Sequence, residues 1–302
     1  RLGNSGLKVS KIILGCMSYG TPEWWSWVLP EEESIKHIKA AYDAGINTFD
    51  TVNAYSNGLS EVILGKAIKQ HKLPRDEIVV MKKMYAVVRR NYNEPFRLEG
   101  GEDELGYVNQ HGLSRKHIFE SVKHSLERLQ LDYIDLLQCH RFDKETPIAE
   151  TMQALHDIIQ AGYLTPFTSM QNHYSMMFPT LKLFGVGSIP WSPLARGLLT
   201  RPLAAQTKRG ETDWLINDYG KDQGTEEIVN RVEKLAKEKG ISMAQVALAW
   251  VMSRDGVTAP IVGTTSLENL YDLLGGIHVT LTEDEIKQLD EPYLPQCILG
   301  NA

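Results

Sequence analysis

Several of the usual signposts of function are scarce or missing in this sequence. Cysteine is rare: Cys16, Cys139 and Cys297 are the only three in 302 residues. An odd, irregularly spaced set excludes a disulfide framework and points to a reducing compartment. No C-x-x-C pair or Cys/His zinc spacing occurs, so no metal is expected. No apolar run is long enough to span a bilayer, and Arg1-Leu2-Gly3 does not open a signal-peptide core. The expectation is a soluble cytoplasmic protein with no membrane partner. Excess positive charge is lacking too. Thirty-two Lys and Arg stand against 38 Asp and Glu, a formal charge of −6, and no basic run breaks the balance. That excludes a nucleic-acid footprint. No composition break marks a linker and no short repeat is visible, so residues 1–302 read as a single domain. Oligomeric state leaves no mark. What is present is an ordinary 42% of apolar residues, enough to fill the core of one α/β barrel.

Strand and helix patterns alternate along the chain. Arg1 to Lys8, with Gly3, Asn4 and Gly6, suits a small hairpin. Strands are expected at Ser10–Gly15, Ile46–Phe49, Ile78–Met84, Tyr133–Cys139, Phe167–Met170, Ser188–Trp191 and Ala259–Val262. Helices are expected over Glu31–Ala44 and Ser60–Gln70, then after Ser114 with the stripe Ile118, Val122, Leu126, Leu129. Thr146-Pro147 reads as an N-cap and first helical residue, with Met152, Leu155 and Ile159 facing inward and Gly162 as the stop. Further helices run from Thr225 to Lys239 and open at the capping boxes Ser242-x-x-Gln245 and Thr282-x-x-Glu285. Alternation of this kind implies right-handed βαβ units and a parallel sheet. Two loops stand out. Trp24, Trp25 and Trp27 lie between Pro22 and Pro30, where they either cover a barrel end or line a pocket for aromatic groups. Tyr85 to Gly112 is a long polar insert.

The stretch Gly45-Ile46-Asn47-Thr48-Phe49-Asp50-Thr51-Val52-Asn53-Ala54-Tyr55 organises the rest. Asp50 ends an apolar run and Tyr55 follows in a polar loop. Asp50, Tyr55, one of Lys82 and Lys83, and His140 all fall at or near strand ends, which converge on one face of a parallel barrel. A buried ammonium is expensive alone, so the lysine should pair with a carboxylate, and Asp50 on the neighbouring strand is the candidate. A charged pair beside Tyr55 would lower the phenol's pKa and make it a usable general acid, with His140 orienting the substrate oxygen. This set suits proton delivery to a carbonyl. The hydride such a reduction needs implies a nicotinamide cofactor. No G-x-G-x-x-G follows a strand, so a Rossmann mode of binding is not expected. Cys139 and His140 are strand neighbours facing opposite ways, which rules out a nucleophile–base pair. His117 and His124 read as a solvated helix face, and Asp132 and Asp135 as structural.

Five segments taken together resemble the aldo-keto reductase family, in particular its fungal aryl-alcohol-dehydrogenase-like and potassium-channel-β-related branch. They are Phe49–Gly58, Leu131–His140, Met170-Gln171-Asn172, Trp191–Gly197 and Pro260–Thr265, and the resemblance covers essentially the whole chain. It implies a TIM-type (β/α)8 barrel that reduces aldehydes or ketones with NADPH, NADH remaining an alternative donor. Asp50, Tyr55, Lys83 and His140 match the family's catalytic tetrad, and the match selects Lys83 over Lys82. Among cofactor-binding positions, Gln171 matches the residue on the carboxamide and Trp191 the aromatic on the nicotinamide. Ser192, Leu194, Arg196 and Gly197 match the pyrophosphate loop. Gly263, Thr265 and Asn269 match the adenine side, and Gly15 at the first strand's end joins the set.

The chain also departs from the family. Thr264-Thr265-Ser266 stands where Arg or Lys often pairs the 2′-phosphate, and Asp272-Leu273 where Glu-Asn meets the adenine. Arg196 or Arg201 could supply the charge. A fifth strand and its helix are expected between Gly162 and Phe167, and a short piece between Met177 and Pro179; neither is in the sequence. Loss of an internal strand exposes two edges, which favours a complete molecule that carries the segment. Two rival readings use the same fold: a cofactor-binding, redox-sensing regulatory subunit with little turnover, and a barrel without catalysis.

Overall fold

The computed structural model describes residues 1–95, 100–165, 169–171, 178–205 and 224–294. Of the segments singled out above, Phe167, Asn172, Met177 and Cys297 lie outside them. The chain divides into two compact units, Arg1–Ser169 with Gly263–Thr265, and Met170–Val262 with Ser266–Ala302.

The first unit is built on parallel strands in the order β4-β3-β2-β1: β1 Ile13–Gly15, β2 Thr48–Val52, β3 Val79–Met84 and β4 Leu136–Cys139. Every residue of β1, β2 and β3 is buried. Strands covered on both faces read as continuous runs, which is why no alternation shows in these segments. The register sets Gly15 beside Asp50, and Asp50 beside Met81. It also sets Val52, Lys83 and Gln138 in one row. The connecting helices are α1 Glu31–Asp43, α2 Leu59–Gln70, α3 Arg115–Leu129 and α4 Ile148–Gln160. Three glutamates fill the first turn of α1, where the helix dipole favours them. Ser114 caps α3 by accepting from His117 N, and the expected stripe Ile118, Val122, Leu126, Leu129 is buried. Leu2 N donates to Leu7 O in the manner of a hairpin, though no ladder extends beyond it.

Several local expectations are corrected. The N-cap of α4 is Pro147, not Thr146, whose hydroxyl instead donates to Asp143. The buried face of α4 is Thr151, Ala154 and Ile158, while Met152 is 59% exposed. Small residues make the close contact, and a stripe drawn through the largest apolar residues is rotated off it. His117 is buried, its Nδ1 2.8 Å from Gly112 O, whereas His124 is solvent-facing as expected. β4 starts three residues later than Tyr133. Ahead of it, Ile134 pairs in parallel with Leu164, Ile134 N donating to Tyr163 O and Thr165 N to Ile134 O. The chain therefore makes an isolated parallel bridge to the segment ahead of β4 just after Gly162; among the described residues that pairing ends at Thr165.

In the second unit, β5 Ser169–Met170 pairs with β6 Gly187–Ser188. β7 Ile261–Val262 follows, and the expected strand Ser188–Trp191 runs beside the segment leading into it through parallel bridges Ser188–Val257 and Trp191–Ile261. The helices are α5 Phe178–Leu183, α6 Thr225–Lys239, α7 Met243–Met252, α8 Leu267–Gly275 and α9 Glu283–Asp290. Val229, Val232, Leu235, Val246 and Leu289 form the core among α6, α7 and α9. Each fully buried aliphatic side chain there contributes about 1.5–3 kcal/mol. Thr282 and Glu285 form the full reciprocal capping box. Ser242 makes only half of one, because Gln245 turns away to the Asp272 carboxylate and carbonyl.

Candidate active site

The sheet brings Asp50, Lys83, Tyr55 and His140 to one region of the first unit. Asp50 and Lys83 are each 3% exposed and form an ion pair, Lys83 Nζ donating to Asp50 Oδ2. Strand alternation puts the two consecutive lysines on opposite faces. Lys83 takes the face of Asp50. Lys82 points the other way and donates to Ser121 Oγ (2.9 Å) and Ser121 O (3.2 Å) of α3. The Lys83 ammonium lies 5.8 Å from the centroid of the Tyr55 ring. His140 follows β4 directly, its N–H donating to Met84 O.

Tyr55 opens a short turn, Tyr55–Gly58, of unusual backbone: Ser56, Asn57 and Gly58 have φ of 44°, 52° and 99°. Consecutive left-handed residues cost free energy and persist only where the surroundings impose them. Three contacts impose them here. Ser56 Oγ accepts from Thr21 N, the Asn57 amide reaches the carbonyls of Asn91, Tyr92 and Glu94 in the long insert, and Gly58 backs onto Arg128. The insert is itself closed at its neck by Gly112 N donating to Tyr85 O. On another side stand the tryptophans. Trp24 and Trp27 are buried and Trp25 is half-buried; the Trp24 and Tyr55 centroids are 6.3 Å apart, and Trp24 and Trp25 are 4.5 Å apart.

The electrostatics sort the groups into roles. Burial, with the nearby charges of Lys83 and then Arg141, pushes the His140 imidazole down to about 3, so it is neutral at ordinary pH. A neutral imidazole can orient an oxygen by hydrogen bonding but has no acidic proton to give. Cys16 is buried, and burial and then the Asp50 charge push its thiol far up, so it stays protonated. Burial pushes the Lys82 ammonium down to about 7, against the pull of Glu61. The Tyr55 ring thus lies near the fixed positive charge of Lys83, in a site whose imidazole is neutral.

Of the other residues singled out by sequence, Gly15, Gly263 and Thr265 lie in the first unit. A β-carbon on Gly263 would stand 3.4 Å from Gly15 O, so the two backbones are close. Thr265 is exposed. In the second unit, Gln171 directly follows β5, and Trp191 is half-buried in its bridge to Ile261. Ser192, Ala195, Arg196 and Gly197 all have positive φ, and Leu194 lies among them. Within the turn Ala195 N donates to Ser192 O and Gly197 N to Leu194 O. Arg196 is part of that turn, and Arg201 lies beside it, held by bonds to Gly197 O (2.7 Å) and Ala205 O. Asn269 is exposed in the first turn of α8. The donor set, a left-handed loop with two guanidiniums, fits a pyrophosphate-bearing cofactor. Sequence reasoning missed one residue of the first cluster, Gln138, whose amide meets Asp50 at 3.3 Å. Its only signal was a polar side chain two residues before His140 in an otherwise apolar strand.

Comparison with known proteins adds a separate line of support. The model of the Aldo/keto reductase family matches residues 11–168 and 163–293. The two matched stretches overlap over 163–168, next to the point where a further strand and helix are expected from the sequence. The chain is 44% identical to versiconal hemiacetal acetate reductase of Aspergillus parasiticus, over 99% of this chain and 97% of the relative. It is 43% identical to an aldo-keto reductase of Alternaria alternata, over 100% and 93%. It is 42% identical to a candidate aryl-alcohol dehydrogenase of Schizosaccharomyces pombe, over 99% and 96%. The first alignment spans 336 residues against 302 in this chain, so more than thirty aligned positions of the relative have no counterpart here.

Proposed function

The chain belongs to the aldo/keto reductase family, a family of (β/α)8-barrel oxidoreductases, and on that premise we propose that it reduces an aromatic or otherwise bulky aldehyde or ketone to the alcohol, with NADPH as the preferred donor over NADH. The observation that carries this reading is the buried Asp50–Lys83 pair with its ammonium 5.8 Å from the Tyr55 ring. Tyr55 gives the proton of its Oη to the carbonyl oxygen. Lys83 favours the phenolate left behind, because a nearby positive charge stabilises it. Asp50 holds the Lys83 ammonium in place. His140, neutral by burial, directs a ring nitrogen toward the carbonyl oxygen and fixes its orientation. Bound NADPH supplies the hydride that the carbonyl carbon needs. Gln171 and Trp191 would hold the nicotinamide, and Ser192, Leu194, Arg196 and Gly197, in and beside a turn with left-handed residues, the pyrophosphate. Arg201 would add charge for the 2′-phosphate. Gly15, Gly263, Thr265 and Asn269 would serve the adenosine side, and residues 1–302 would act as one domain.

The bulky-substrate reading rests on the indoles of Trp24 and Trp25 beside Tyr55, which form an apolar wall next to the proton donor. The versiconal relative's name gives an acetate ester of a hemiacetal as that enzyme's substrate, and the yeast relative's name gives aryl alcohols. Among the described residues no helix is long and apolar enough to cross a membrane, in keeping with a soluble cytoplasmic enzyme. The test is NADPH oxidation followed by absorbance with a panel of aryl and short alkyl aldehydes. Turnover favouring the aryl set is expected, and Tyr55→Phe should lower kcat by about 10²–10⁴-fold, the usual worth of a positioned proton donor. NADPH affinity, read by fluorescence, should be unchanged in that variant. Tight cofactor binding without turnover would instead establish a regulatory subunit.

A further inference from the structure

Asp50 receives hydrogen bonds from two neighbouring side chains. Lys83, from β3, donates to Oδ2. Gln138, from β4, donates to Oδ1 at 3.3 Å. The register makes this geometry natural: Lys83 and Gln138 are direct cross-strand neighbours, and Asp50 sits two residues before their partner Val52 on the same face. All three side chains are buried. The amide orientation follows from chemistry. An ionised carboxylate only accepts, so the NH2 end of Gln138 must face it.

A carboxylate removed from water has more lone pairs than one lysine can satisfy, and each left over is costly. A second cation would satisfy them but would compete with Lys83 for the charge of Asp50. An amide gives the hydrogen bond without the charge. We propose that Gln138 is a positioning residue of the reaction: its amide fixes the Asp50 carboxylate, so that the Lys83 side chain stays aimed at Tyr55. This inference rests on the reductase reading above. The titratable groups around Asp50 are Lys83 from β3, Cys16 from the turn after β1, Tyr55 beyond β2 and His140 after β4. Lys82 and Glu61 are buried on the other face of the sheet. Of the groups on the Asp50 face, Cys16 stays a thiol and His140 neutral, which leaves the Asp50–Lys83–Tyr55 set to carry the response.

Gln138→Met keeps the volume and removes the donor. It should lower kcat about tenfold, the usual cost of a hydrogen bond withdrawn from a buried charged group. The carbonyl KM and NADPH affinity should stay within about twofold of the parent, because Gln138 acts through Asp50 rather than on either ligand. The titration of Tyr55, followed through its ¹³Cζ resonance without any turnover, should move to higher pH. Gln138→Glu is the internal control. A protonated carboxyl still donates and an ionised one repels Asp50, so the ratio of its activity to that of the parent should rise as pH falls from 8 to 5. An unchanged Tyr55 titration in Gln138→Met, or an activity ratio in Gln138→Glu that does not vary with pH, overturns the proposal. A parent protein that binds NADPH and reduces no carbonyl overturns the reductase reading, and the Tyr55 resonance still decides the role of Gln138.

Discussion

Lys82 and Lys83 are adjacent in sequence and opposite in role. Lys83 has a carboxylate in contact; Lys82 has a hydroxyl and a carbonyl of Ser121, with Glu61 committed to Arg128 at 2.6 Å. Burial pushes the Lys82 ammonium from 10.5 down to about 7, Arg128 adding to the shift and Glu61 opposing it. Between pH 7 and 10.5 the unfolded chain therefore holds a proton that the folded chain has released. Stability from this site rises with pH across that window, and below pH 7 the full cost of the buried charge remains. Lys82→Met should raise stability at pH 6 by roughly 1–4 kcal/mol, the range for replacing a buried charge with an apolar residue of similar volume. The gain should shrink toward pH 10, and urea unfolding at pH 6, 8 and 10 checks both points. The sequence shows two lysines in a buried strand and the rule of alternation, but not which face looks inward. Resemblance chose Lys83, and the register of β3 against β2 supplies the physical reason. Gln138 was invisible for a related cause: the carboxylate it bonds is on β2, across β3 and 88 residues away in sequence.

The turn after β2 gathers several elements. Gly58 has φ of 99°, and a β-carbon there would stand 2.8 Å from Arg128 Cδ. Gly58→Ala should cost about 1–3 kcal/mol in backbone strain. It should also lower kcat/KM, because the same turn carries Tyr55; thermal unfolding and steady-state kinetics on one preparation measure the two effects. From sequence this stretch reads as a strand end and a polar loop, which is right as far as it goes. Ser56 and Asn57 tolerate left-handed backbone without demanding it, so nothing local announced three such residues in a row. α4 shows the opposite limit. Its extent and its glycine stop were legible, yet its inner face was missed, because Ala154 and Thr151 make contact through smallness and hydropathy weights size.

At the scale of the molecule, the alternating pattern and five short motifs were enough to place the chain in its family. They also raised the expectation of a further strand and helix after Gly162. The matched stretches overlap at 163–168, and Leu164 makes an isolated parallel bridge to Ile134, ahead of β4. A barrel needs each strand paired on both sides. Inserting a strand and a helix between Gly162 and Phe167 should therefore raise Tm and tighten NADPH binding. Calorimetry and fluorescence titration check this, and an insertion that lowers both would show that the short chain is complete in itself.

The Asn57 amide, bonded to three carbonyls of the insert, has a consequence for how this molecule responds to ligands. Loop and turn share one fastening, so whatever orders one orders the other. A ligand that orders the turn at Tyr55 should therefore slow amide exchange at Asn91 to Glu94, and by reciprocity a substitution in that outlying loop should alter affinity at the phenol; hydrogen exchange with and without ligand checks this.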